Sequence, residues 1–252
     1  MSTRPAHDAS ASTPFAGGAA YASPIMRRAL GDALRPGGLD STRSALRRAP
    51  LLPGSLVLDA GCGPGQTAAL LRDEAGCRVI GLDREPDFTG PDSDACPPLV
   101  RGDASSLPLA ARSLDAVFCE CVLSLLASPE LGLAEFHRVL KPGGRLYLGD
   151  VFARAPAAGP ASAPRATCLA APAGLADWRE RLRHAGFAIV SEEDQTWHMR
   201  QTAGRLIFEH GSLDLFWQAI LGPSAGGDCA ARIKDLRPGY VSFVAIKETA
   251  HV

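Results

Sequence analysis

Between Ser55 and Val151 short apolar runs recur, each followed by a turn and a helical stretch: Leu56–Leu58, Val79–Leu82, Leu99–Val100, Ala116–Cys119 and Leu146–Val151. Apolar runs of that length, separated by helix-length segments, predict parallel strands with crossover helices on both faces of one sheet. Leu133, Phe136, Val139 and Leu140 form a stripe that lays a helix on that sheet. Lys141-Pro142-Gly143-Gly144 reads as the stop of this helix, a cation near its last carbonyls and a glycine free to take φ > 0, and Arg145–Asp150 resumes the sheet. Further on, Leu175, Trp178 and Leu182 fall at helical spacing and Phe187–Ser191 reads as a strand. Leu206–Leu221 reads as one longer helix and Tyr240–Lys247 as the final strand. Trp197, Phe208, Phe216 and Trp217 read as core.

The flanks differ in character. Residues 1–20 hold Ala, Ser, Thr, Pro and Gly with Phe15 as the one large apolar group, too little surface to offset the entropy of ordering, so this segment is expected to be loose. Over residues 21–50, Ile25–Leu30 and Ser44–Arg47 predict short helices around the turn Arg35-Pro36-Gly37-Gly38, a helical cap in front of the core at 51–152. Residues 153–176 are a low-complexity connection rich in Ala, Pro and Gly, and 177–252 complete the sheet.

A chain of 252 residues, 46% hydrophobic and 21% charged, has room for one decorated α/β domain. The formal charge of −1 gives no long-range field for a polyanion, which argues against nucleic acid as partner. No run is long enough to span a bilayer, and the first thirty residues lack the apolar core of a secretory signal, so a cytoplasmic protein without a membrane partner is expected. Seven cysteines in no repeating framework read as thiols of a reducing compartment.

Candidate chemistry begins at the end of the first strand. Asp59 is followed by Gly61, Gly63 and Gly65, which let the chain turn sharply and approach a ligand closely while the next helix, from Gln66-Thr67, points its first amides at it. A dinucleotide turn spaces its glycines by two and then three, which would place glycine at 66, where the chain has Gln66.

Asp59-Ala60-Gly61-Cys62-Gly63-Pro64-Gly65 resembles the first motif of class I S-adenosylmethionine-dependent methyltransferases. The likeness runs over roughly residues 50–150. Asp83, with Arg84 beside it, stands where that family sets an acid on the two ribose hydroxyls. Gly102-Asp103-Ala104 resembles the segment that meets the adenine, and Arg138–Gly144 is similar to the segment before the fifth strand in the small-molecule branch, with more distant likeness to arsenite and quinone-biosynthesis methyltransferases. The resemblance implies a Rossmann-like, mostly parallel sheet of seven strands with the last antiparallel. It also implies S-adenosylmethionine as cofactor, a small-molecule acceptor, and cofactor contacts at Asp59, Gly61, Cys62, Gly63, Gly65, Asp83, Arg84, Asp103, Ala104 and Cys119.

Asp59 suits the cationic groups of such a cofactor, or it caps the following helix. Asp83 accepts hydroxyl protons, or it is a solvated turn acid. The segment that faces the methyl group in this family is Cys119-Glu120-Cys121. Glu120 is a candidate base or acceptor-positioning carboxylate, or a helix-start acid. Cys119 and Cys121 are candidate catalytic thiols that suit a soft metalloid or thiol acceptor, with Cys168 in the connection and Cys229 in a glycine-rich loop as further thiolates able to fold over them. Cys62 and Cys77 read as packing, with Cys62 close enough to the cofactor turn to react. His137 and His184 read as solvated helix residues and His198 as structural. Tyr21 is a candidate lid and Trp217 a candidate wall of the acceptor pocket. A regulatory protein that keeps the cofactor without turnover, and a nicotinamide oxidoreductase, are the competing readings.

Overall fold

A computed structural model describes residues 20–21, 23–31, 33–85, 98–155, 167–169 and 172–248. The expectations for 1–19 and for most of the 153–176 connection lie outside these residues. Helices α1 (Pro24–Leu30) and α2 (Gly38–Arg48) precede β1 (Leu56–Ala60), α3 (Gln66–Asp73), β2 (Arg78–Asp83), β3 (Leu99–Arg101) and β4 (Leu114–Glu120). A 3₁₀ turn at Leu123–Leu125, α4 (Pro129–Val139) and β5 (Leu140–Phe152) follow. The chain continues with α5 (Leu175–His184), β6 (Phe187–Asp194), α6 (Thr196–His210), α7 (Leu213–Leu221), α8 (Pro223–Leu236) and β7 (Gly239–Lys247).

The strands form one seven-stranded sheet in the order β3-β2-β1-β4-β5-β7-β6. Pairs from β3 to β5 are parallel, and β7 runs antiparallel to both neighbours. The expected Rossmann-like sheet with its last strand antiparallel is thus the observed fold. Strand β4 supplies both cores by alternation: Val117 and Cys119 join Leu58, Phe136 and Trp178 on one face. Ala116 and Phe118 join Leu71 and Tyr147 on the other, where Phe118 stacks on Tyr147 at 4.2 Å. Each fully buried Val, Leu or Phe side chain among them contributes roughly 1.5–3 kcal/mol relative to exposure. A third cluster, Met26, Leu206, Phe216, Trp217 and Ala230, packs α1 against α6, α7 and α8.

Several expectations need correction. The helix before β5 ends at Val139, because Leu140 is already extended and pairs with Leu114, and Lys141 precedes Pro142 and is held out of the α region. Gly143 takes its positive φ of 73° after the helix, inside the irregular start of β5, and caps nothing. The single helix over Leu206–Leu221 is two, broken where Gly211 turns left-handed at φ 84° and the Ser212 hydroxyl accepts from the Leu215 amide to start α7. Cys229 lies within α8 and not in a loop. Gly226 serves close helix packing there, since a methyl at that position would sit 2.4 Å from the Gln218 nitrogen. Phe216 and Trp217 are core, but Trp197 is 52% and Phe208 91% exposed. His198 is buried, stacked on Trp197 and pressed against Gly37, and burial holds its pKa below the ordinary value.

Candidate active site

The order of strands reverses between β1 and β4, and ligand crevices of open α/β sheets lie at such a point, beyond the carboxyl ends of the strands. Asp59, Asp83 and Glu120 come from the ends of β1, β2 and β4, and all three line one cavity of about 470 Å³. Gly61, Cys62, Gly63, Arg84, Gly102 and Ala104 line it too, with Tyr21, Leu34 and Arg35 arriving from the cap.

The glycine turn is built for close approach. Gly61, Gly63 and Gly65 have φ of 73°, 49° and 79°, a region that costs an L-residue roughly 1–2 kcal/mol. The Gly61 and Cys62 amides bind the Leu82 carbonyl at 2.7 and 3.1 Å, which ties the turn to β2. A methyl on Gly61 would meet Val122 at 2.2 Å, whereas one on Gly63 would meet open space. The Gly63 amide donates to Asp83 at 2.9 Å and the Glu85 amide to its other oxygen at 3.0 Å, so Asp83 stands fixed at the cavity wall.

Asp59 is 3% exposed and its Oδ2 has no hydrogen-bond partner among the described residues. Desolvation, reinforced by Glu120 and opposed by Arg35, pushes its pKa up to about 7. A buried carboxyl oxygen without a donor, facing a cavity, fits a ligand that brings a cation. Asp103 is differently engaged: its oxygens take the Ser105 amide at 2.8 Å and the Arg84 guanidinium, and these bonds outweigh burial and hold its pKa low. Its neighbours Gly102 and Ala104 face the cavity.

Glu120 is the centre of a buried network that the sequence reading missed. Arg35 pairs with it at 2.8 Å, and the Thr42 and Thr67 hydroxyls donate to it at 3.0 and 3.1 Å. Burial works against the Arg35 charge, but Glu120, Tyr240 and Asp59 outweigh it and keep its pKa raised. The network clips the cap to β4 and to the first turn of α3. The Arg35-Pro36-Gly37-Gly38 turn and Thr67, two residues after Gly65, were its traces in the chain.

Cys119 is fully buried in the core and does not line the cavity. Cys121 does, turned by a left-handed backbone at φ 59° whose amide donates to the Gly149 carbonyl at 2.7 Å. Its thiol meets that of Cys168, which receives the Tyr21 hydroxyl proton at 3.1 Å. The Cys168 contact and burial push the Cys121 thiol well above its usual range, and desolvation does the same to the Tyr21 and Tyr240 hydroxyls. Cys62 and Cys77 are buried, and burial pushes the Cys229 thiol up to about 11. Among the described residues no group of three or more His, Cys, Asp or Glu is arranged to hold a metal ion.

A second cavity of about 370 Å³, almost wholly apolar, adjoins the first. Tyr21, Leu34 and Cys121 line both. Met26, Met199, Leu206, Phe216 and Trp217 line the second alone, so Trp217 does stand in a pocket wall.

Residues 58–148 match the family model described as a methyltransferase domain. That match and the sheet order make this segment similar to the class I, S-adenosylmethionine-dependent methyltransferases. The chain is 31% identical over 157 residues to the arsenite methyltransferase of Halobacterium salinarum, across 56% of this chain and 39% of that protein. It is 32% identical over 169 residues to the uncharacterized methyltransferase YodH of Bacillus subtilis, across 65% of this chain and 64% of that one. The chain thus spans under two thirds of the length of these curated relatives. Among solved structures it is similar to the [4+2]-cyclase SpnF, with a TM-score of 0.66 and 26% identity over 86% of this chain and 83% of that one. No helix among the described residues is long and apolar enough to cross a membrane.

Proposed function

We propose that the chain binds S-adenosylmethionine in the larger cavity and transfers its methyl group, where Tyr21, Leu34 and Cys121 join the two cavities, to a small molecule held in the apolar one. The observation that carries this reading is the adjacency of a polar cavity, with an unpartnered buried carboxyl oxygen, to an apolar cavity across three shared residues. The cofactor supplies an electrophilic methyl carbon on a sulfonium, and its carbon–sulfur electron pair stays on sulfur as the acceptor's lone pair bonds to carbon. Asp59 would hold the ammonium, Asp83 the ribose hydroxyls, and Gly102 and Ala104 would lie along the base. The glycine turn lets the backbone come close, and the cap, clipped through Arg35 and Glu120, keeps water out.

At the junction the Cys121 thiol and the Tyr21 hydroxyl hold their protons at neutral pH, and Glu120 is already engaged by a guanidinium and two hydroxyls. The protein's part in transfer is therefore placement, and the acceptor brings its own nucleophilic lone pair. A soft metalloid acceptor draws support from the Cys121–Cys168 contact and from the arsenite methyltransferase relative. It loses support because Cys119 is turned into the core. An organic acceptor fits the apolar wall better.

Met199→Trp tests this reading by filling the second cavity. In a transfer assay on an acceptor identified for the wild type, the variant raises the acceptor KM at least tenfold and leaves the affinity for S-adenosylhomocysteine unchanged. Equal loss of both, or loss of neither, contradicts the two-cavity arrangement.

A further inference from the structure

Every charged residue lining the apolar cavity is an arginine: Arg154, Arg200 and Arg237. In a chain with 26 basic and 27 acidic residues, a wall with three cations and no acid is a local departure from the average. All three residues are exposed, and none is in an ion pair with another described residue.

The fold brings them together from three elements. The Arg154 and Ala155 amides both donate to the Leu236 carbonyl, at 3.0 and 3.2 Å, which sets Arg154 against the residue before Arg237. Arg200 lies on α6, whose first residue, Thr196, accepts from the Tyr240 amide just beyond the same turn. Arg237 is held left-handed at φ 46°, a conformation L-residues avoid and one usually given to glycine at a helix end. None of the three lines the cofactor cavity, so they stand on the part of the wall away from the junction.

We infer that the acceptor is an acidic amphiphile: an apolar body that fills the cavity and an anionic group, a carboxylate in the simplest case, held by Arg154, Arg200 and Arg237. This rests on the two-cavity reading and adds the substrate class. The anion is a handle and not the reacting atom, because the arginines lie outside the junction. Three arginines give the forked donor geometry that suits a carboxylate, while apolar walls give bulk affinity with little demand on shape.

The test uses 11-(dansylamino)undecanoic acid and its methyl ester as fluorescent probes on the full chain, with S-adenosylhomocysteine affinity measured separately by calorimetry. A hydrogen bond to a charged group is worth about tenfold in affinity or more, so the acid is expected to bind at least tenfold tighter than the ester. Increasing salt narrows that gap. The triple variant Arg154→Gln, Arg200→Gln, Arg237→Gln loses the preference, retains ester binding and keeps its S-adenosylhomocysteine affinity, which also reports that it is folded. Equal binding of acid and ester, binding of neither, or a preference that survives the triple variant overturns the inference. Absence of S-adenosylhomocysteine binding in the wild type would instead overturn the cofactor assignment, so the two failures are told apart.

Discussion

Cofactor affinity should depend on pH through one carboxyl. Asp59 titrates at about 7 because it is desolvated beside Glu120, with Arg35 and the Ala68 amide recovering only part of that cost and Asp83 adding a little more negative field. The native state therefore keeps the Asp59 proton well above the 3.8 of an ordinary aspartate. A ligand ammonium at Oδ2 requires the ionised form. With a pKa of about 7, roughly nine in ten molecules are ionised at pH 8 and one in eleven at pH 6, a loss of about tenfold in affinity or ~1.4 kcal/mol. Calorimetry with S-adenosylhomocysteine at pH 6, 7 and 8, in buffers of different ionisation enthalpy, reads both the affinity and the proton released on binding. Asp59→Asn should bind more weakly at pH 8 and lose the pH slope. A wild-type affinity that is flat from pH 6 to 8, or a slope that survives in Asp59→Asn, refutes the reasoning. Asp150, buried and pushed to about 6 by desolvation, lines neither cavity, and Asp150→Asn should leave the slope intact.

Three further outcomes follow from the same contacts. Asp83→Ala removes the acceptor of the Gly63 and Glu85 amides, and should weaken S-adenosylhomocysteine binding by about tenfold or more in the same calorimetric assay. Glu120→Ala strands the Arg35 charge in a buried site at a cost of about 3–5 kcal/mol, read as a fall in Tm of about 10 °C; adding Arg35→Met removes the stranded charge and should recover most of it. Gly61→Ala forces a left-handed alanine into Val122 and should lower stability by about 1–3 kcal/mol. Val122→Ala in the same chain relieves the collision but not the backbone strain, so denaturant melts should recover only part.

What could be read from the chain was what neighbours in sequence decide. The apolar run ending at Asp59 and the three glycines after it need no distant residue to form a strand and a turn, and the structure has them there. Short-range signals also misled. Gly226 and Gly227 suggest a loop around Cys229, yet glycine is used there to let α7 and α8 approach, a tertiary reason that overrides propensity. The Gly211-Ser212 pair did carry a stop and a start signal, hidden by the apolar residues on either side. Long-range pairing was illegible: Arg35 meets Glu120 across the cap, and Cys121 meets Cys168 from beyond α4 and β5. The apolar cavity combines Met26, Cys121, Leu206 and Ile233, residues with no common motif, and it exists only once α1 packs on α6 to α8.

The central claim is that this chain moves a methyl group from one cavity to the other. Incubation with S-adenosylmethionine tritiated on the methyl, against a panel of apolar carboxylic acids bearing amine, thiol or phenol groups, measures it directly. The account predicts tritium in an extracted acidic product together with an equal amount of S-adenosylhomocysteine. S-adenosylmethionine that binds and is recovered intact across the whole panel would contradict it.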